Sequence, residues 1–155
     1  MGNDRGEFLN KRKEIIDYLE DYFKKNAGRY KIEIAFLYGS WAGGFPRLDS
    51  DIDIAIVFSK DLSEDDIFEY MTNVSLLLSG KFRLEVNIIP IYSDFREPML
   101  YYNAIVLGIT VFFRDFSEYV NLKQEAIFQM EDFSIFGRDW QINVARNNLE
   151  VLKRA

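Results

Sequence analysis

The sequence predicts one α/β domain of two or three layers. Three observations carry that expectation. Apolar residues recur first at helical spacing, then in strict alternation, and the two patterns trade places along the chain. No Pro/Gly/Ser-rich linker, repeat or low-complexity stretch divides the 155 residues, a length typical of one domain. Hydrophobic residues make up 48% and charged residues 28%, with fourteen Phe and nine Tyr, which supplies a sizeable core and excludes a disordered chain.

The elements follow in order. Phe8, Ile15, Ile16, Leu19, Tyr22 and Phe23 share one helical face, and Asn26-Ala27-Gly28 ends that helix. Ile32, Ile34, Phe36 and Tyr38 alternate as a first strand running into Gly39. Residues 43–50 are rich in turn formers. Residues 51–58 read as a second strand with Ile52, Ile54, Ile56 and Phe58 on one face. Ser63, with Asp66 three residues on, marks a helix start; Ile67, Met71, Val74 and Leu78 face inward and Gly80 stops the helix. Residues 83–92 read as a third strand. Ser93 or Asp94 caps the next helix, which ends at Gly108, and residues 109–113 form a short fourth strand. From about residue 117 the chain is helical with a break at Gly137. The aromatic residues of that region (Phe116, Tyr119, Phe128, Phe133, Phe136, Trp140) are read as core, and the Asp61, Glu64, Asp65, Asp66 cluster as a solvated helix start.

Charge and missing residue types narrow the chemistry. Nineteen Lys and Arg against 25 Asp and Glu leave a net charge of −6, a poor match to an extended nucleic-acid backbone. A single nucleotide is still admissible, because a metal ion can carry its charge. There is no Cys and no His, which removes zinc fingers, thiol nucleophiles and Ser-His-Asp triads. Acid–base and metal chemistry must rest on carboxylates, Lys, Arg, Tyr or hydroxyls. The N-terminus lacks an apolar signal core, and the longest apolar run, residues 104–113, is far short of the ~20 needed to cross a bilayer. The expectation is a soluble, cytoplasmic protein without a membrane partner.

The chemistry concentrates in residues 37–58. A strand ends in Gly39-Ser40, ten residues follow, and the next strand opens with Asp51-x-Asp53. Residues i and i+2 of a strand project to the same side, so the two Asp carboxylates stand together while Ile52 and Ile54 pack opposite. Such a pair suits a hard cation, which takes oxygen ligands; without one, mutual repulsion raises a pKa. Gly39 permits close backbone approach, and Ser40 adds a hydroxyl at a helix N-terminus, together a phosphate site. In residues 83–89, Leu84, Val86 and Ile88 form the apolar face and leave Glu85 and Asn87 on the other. Glu85 beside the Asp51/Asp53 strand completes a three-carboxylate cage for one or two Mg²⁺. Singly, each feature reads as a turn or a solvated strand mouth; it is their order and spacing that point to a metal–nucleotide site.

At these residues the sequence resembles the minimal nucleotidyltransferases, small members of the DNA polymerase β-like superfamily. Their signature reads here as Gly39-Ser40-x10-Asp51-x-Asp53, then Glu85, and residues 97–115 resemble the family's helix–strand–Arg-Asp tail. The similarity spans roughly residues 30–130. Two positions depart from the pattern. Gly43 stands where many members carry Arg, with Arg47 later in the loop to reach the phosphates instead, and the third acid is Glu rather than Asp.

The resemblance implies an α+β (α/β-like) nucleotidyltransferase fold, a mixed sheet of about four to five strands flanked by helices. It implies a single domain over residues 1–155, with a catalytic core at about 30–115 and C-terminal helices at about 117–155. It further implies Mg²⁺-dependent transfer of a nucleotidyl group, AMP from ATP, with Asp51, Asp53 and Glu85 as catalytic metal ligands and Gly39, Ser40 and Arg47 on the nucleotide. The chain leaves no room for a separate acceptor domain, so the acceptor comes from a partner or a shared interface. Stand-alone members are often antitoxins paired with a HEPN-domain toxin, and some transfer AMP to a toxin tyrosine. Two other readings stay open: a small-molecule transferase of the aminoglycoside type, and an inactive nucleotide-binding subunit that neutralises its partner by contact.

Overall fold

A computed structural model describes residues 2–43 and 47–154. The elements run α1 (Gly2–Asn26), β1 (Ile32–Tyr38), α2 (Ser40–Gly43), β2 (Ile52–Phe58), α3 (Glu64–Phe82), β3 (Val86–Pro90), α4 (Pro98–Ile105), β4 (Ile109–Phe113) and α5 (Phe116–Arg154). The four strands form one mixed sheet in the order β3-β2-β1-β4. β1 pairs antiparallel with β2 and β4, whereas β2 and β3 are parallel, as a strand–helix–strand crossover through α3 requires.

Helices cover both faces of the sheet, which makes three layers. On one face Ile15, Leu19 and Phe23 of α1 and Val74 and Leu78 of α3 pack on Leu37, Ile52, Ile54 and Ile56. On the other, Tyr101, Ala104 and Ile105 of α4 and Ala126 of α5 pack on Ile34, Phe36 and Ala55. The alternation read in β2 is therefore correct in direction, but the opposite face is also apolar at Ala55 and Val57. In β1 a register shift between Ile32 and Ile34 sends these two residues to different cores, so the expected one-sided alternation fails there.

Several boundaries differ from expectation. α3 runs past Gly80 to Phe82, and Arg83 caps it in a left-handed conformation (φ 54°), its N–H donating to Ser79 O at 2.9 Å. Arg83 thus closes a helix instead of opening a strand, and β3 begins only at Val86. The start of α3 is as read: Ser63 is the N-cap, its hydroxyl accepting from Asp66 N at 3.1 Å. α4 begins at Pro98, not after Ser93 or Asp94; the Asp94 carboxylate is occupied by Arg96. α4 also stops at Ile105, and Gly108 lies in the following turn against the backbone carbonyls of Ala104 and Leu37, where a Cβ would collide.

α5 is one helix of 39 residues that continues through Gly137. A glycine in a helix interior costs only ~1 kcal/mol, which a helix of this length absorbs. Its aromatic residues are not uniformly core: Tyr119 packs against the sheet, but Phe116, Phe128 and Phe133 are exposed. The side chains of Phe136 and Trp140, and residues 44–46 of the turn-rich connection, lie outside the described residues. No helix among the described residues is long and apolar enough to cross a membrane.

Candidate active site

The site gathers where β1, β2 and β3 meet the connection that carries α2. Tyr38, the last residue of β1, is the register partner of Asp53 on β2, and Asp53 is in turn the register partner of Asn87 on β3. Gly39 follows with a φ of 75°, the left-handed region that favours glycine. A Cβ there would collide with Asp53 Oδ2. The close approach anticipated at Gly39 is thus, within the protein itself, an approach to the Asp53 carboxylate.

Asp51 is exposed at the mouth of β2 and Asp53 is half-buried. Burial is the main cause that pushes the Asp53 carboxyl above its ordinary range; Asp51 and Glu85 add to the rise, while the Asn87 amide opposes it. That amide donates from Nδ2 to Asp53 Oδ1 at 3.5 Å, a long contact. Glu85 is exposed, one residue before β3, and its carbonyl accepts from Ile52 N at 2.8 Å. The three acidic side chains lie at one end of the β2–β3 pair and none is ion-paired among the described residues. Among those residues, no group of three acids is gathered tightly enough to hold an ion by itself.

A fourth carboxylate, Glu97, acts from the start of α4. Tyr38 is pushed up to about 12, first by burial and then by Asp53 and the N-cap residue Glu97 of α4. The Tyr38 phenol thus feels both acids, and its ionisation is opposed by each of them.

α1 braces the connection from outside. Trp41 of α2 is fully buried, stacks on Phe8 at a centroid distance of 5.0 Å, and donates its indole N–H to Ser50 O at 2.9 Å. Arg12 Nη2 donates to Ala42 O at 2.7 Å, and Lys11 Nζ to Leu48 O at 3.3 Å. Ser40 opens the single turn of α2 beside Gly39. Arg47 is highly exposed, with its guanidinium 3.7 Å from Asp49 and its backbone N–H on Ser50 Oγ.

The structure therefore brings together Gly39, Ser40, Asp51 and Asp53, sets Glu85 at their rim, and leaves Arg47 pointing to Asp49. Sequence reasoning assigned nothing to Asn87, Tyr38, Glu97 or Arg12. Asn87 was signalled by sharing a face with Glu85. Nothing local distinguishes Arg12 from Lys11 and Lys13.

Residues 13–117 match the family described as Polymerase beta, Nucleotidyltransferase. The chain belongs to that nucleotidyltransferase family. No curated protein matches it. Solved structures share the fold at low identity. A toxin–antitoxin complex with AMP-PNP matches at 17% identity and a TM-score of 0.62, over 81% of this chain and 97% of that one. The tri-AMPylated HEPN toxin of Shewanella oneidensis in complex with its MNT antitoxin matches at 16% and 0.59, over 83% and 98%. The toxin–antitoxin MntA–HepT matches at 15% and 0.59, over 83% and 97%.

Proposed function

We propose that this chain is the nucleotidyltransferase antitoxin of a HEPN-toxin pair and transfers AMP from ATP to a tyrosine, serine or threonine hydroxyl of that toxin. The observation that carries the reading is the half-buried Asp53 beside Asp51, pressed against the glycine of Gly39-Ser40, in a chain of the nucleotidyltransferase family. The similar complexes, one with AMP-PNP and one with an AMPylated toxin, support the choice of nucleotide and acceptor.

The donors here are all oxygens, without thiolate or imidazole, which fits a hard divalent cation such as Mg²⁺. Asp51 and Asp53 would hold it, with Glu85 at the rim; since no three acids are gathered closely, phosphate oxygens and water would complete the shell. When bound, Mg²⁺ neutralises triphosphate charge and polarises the α-phosphate. Gly39 and Ser40 place the β- and γ-phosphates over the start of α2, and Arg47 lies within the same connection. The acceptor oxygen bonds to the α-phosphorus as the bond to the pyrophosphate oxygen breaks. The hydroxyl proton passes to Glu85 or to water, and pyrophosphate leaves. Positioning and electrostatics carry such a transfer.

Intact-mass spectrometry of a HEPN toxin co-expressed with this chain tests the reading. The toxin should gain one or more AMP units with the wild type and none with Asp53→Asn. A second reading, neutralisation by contact alone, is favoured by one observation: an amide, Asn87, rather than a carboxylate faces Asp53 across the sheet. An unmodified toxin, neutralised equally well by Asp53→Asn, would select that reading.

A further inference from the structure

The distal part of α5 lies outside both cores: the α5 residues that pack against the sheet are Tyr119, Leu122 and Ala126. It also lies outside the family match, which stops at residue 117. Yet it is patterned. Ile135, Ile142 and Leu149 repeat every seven residues, and Ala145 and Leu152 stand three residues beyond the second and third of them. These are the two core positions of a coiled coil. The apolar side chains among them are exposed: Ile135 by 60%, Ile142 by 42%, Leu149 by 57% and Leu152 by 71%. A helix face of this kind, left to water, calls for another helix.

The flanking charges select the occupant. One residue beyond the second core position the sequence reads Asp132, Asp139, Arg146, Lys153, acidic toward the body and basic toward the end. A parallel pair of identical helices would set these positions against the partner's residues 134, 141 and 148, which carry no charge, and would leave the four charges unpaired. An antiparallel pair sets the acidic half against the basic half. We propose that α5 pairs antiparallel with the α5 of a second copy of this chain, forming a two-fold homodimer.

One register satisfies the apolar and the charged positions together. Ile142 meets the partner's Ala145, Ile135 meets the partner's Leu152, and Leu149 packs on the stem of the partner's Arg138. Asp139 then pairs with the partner's Arg146, and Asp132 with the partner's Lys153. Each contact occurs twice, as two-fold symmetry demands. In this register the partner's last helical turn ends near residue 133, short of Ala126, so the two bodies sit at opposite ends and do not collide. That turn reaches only the Ile135 end of a cavity of about 420 Å³ between α4 and α5, lined also by Tyr102, Ile127 and Met130.

Sedimentation equilibrium of the full chain at micromolar concentration tests the pairing. The expected mass is twice 18.3 kDa. Asp139→Arg should weaken the dimer at least about tenfold by placing like charges together at two symmetric sites. Asp139→Arg with Arg146→Asp in the same chain should restore it, and circular dichroism reports that the helix is retained. Because the chain has no cysteine, Ile142→Cys and Ala145→Cys variants give a clean second readout. Their mixture should crosslink on oxidation while neither crosslinks with itself. A monomeric wild type, a dimer indifferent to Asp139→Arg, a double variant that stays dissociated, or self-crosslinking of Ile142→Cys would overturn the proposal.

Discussion

Gly39 joins two constraints in one residue: its φ is 75°, and the place of a Cβ is filled by the Asp53 carboxylate. Gly39→Val would add about 1–2 kcal/mol of left-handed backbone strain and displace Asp53. Calorimetric titration should show loss of Mg·ATP binding in this variant. Ser40→Ala should cost only ~1–2 kcal/mol, the scale of one hydrogen bond to a charged group. Wild-type affinity in Gly39→Val would put the nucleotide elsewhere. Asp53 makes a prediction about stability. Its carboxyl holds a proton more tightly folded than unfolded, so stability falls as pH rises from the ordinary value of about 3.9 through the raised one. Asp51→Asn with Asp53→Asn removes that loss, and thermal melts at neutral pH should be equal to wild type or higher. An unfolded double variant would show that the carboxylates hold the fold instead. Tyr38 and Tyr22, both raised to about 12 mainly by burial, contribute in the same direction at alkaline pH. Stability should fall between about pH 10 and 12, and Tyr38→Phe should remove one late step from the phenolate absorbance titration.

At the scale of elements, α1 acts as a brace for the connection that carries the candidate site. Trp41 fills the space between α1 and the sheet, and Arg12 reaches across to the carbonyl at the end of α2. Trp41→Ala should cost ~3–5 kcal/mol, since it empties the largest fully buried side chain among the described residues. Arg12→Met keeps the aliphatic stem and removes the hydrogen bond. It should cost about 1–2 kcal/mol, and the connection at residues 43–50 should become more open to protease. Unchanged cleavage and unchanged melting would show that α1 does not hold this connection.

At the scale of the molecule, the sheet and its two helical layers are complete by Ala126, the last buried residue of α5 described. A chain cut after residue 130 should therefore melt within a few degrees of the full chain and keep its near-ultraviolet circular dichroism. Measured beside the full chain, it should also be monomeric. A large drop in melting temperature would mean that the distal helix packs on the body.

Much of this molecule was readable one segment at a time. The alternation in residues 52–58, the Ser63 cap and the Gly39-Ser40/Asp51-x-Asp53 spacing are written in neighbouring residues, because side-chain period and capping are local physics. Where local rules allowed two outcomes, the sequence by itself did not choose. Gly80 and Gly137 could end a helix or be carried through, and packing on the one hand and helix length on the other carried them through. The acidic residue on the third strand could be read, but not what faces Asp53. Parallel register pairs Asp53 with Asn87 and leaves Glu85 at the rim, and a register is the outcome of every long-range contact that α3 makes between β2 and β3. Likewise, a second apolar face on the sheet and an uncovered stripe on α5 are properties of which surfaces meet. The residues of this chain determined its elements and its chemistry; the tertiary structure decided which side chains face one another, because that depends on contacts between residues far apart in the chain.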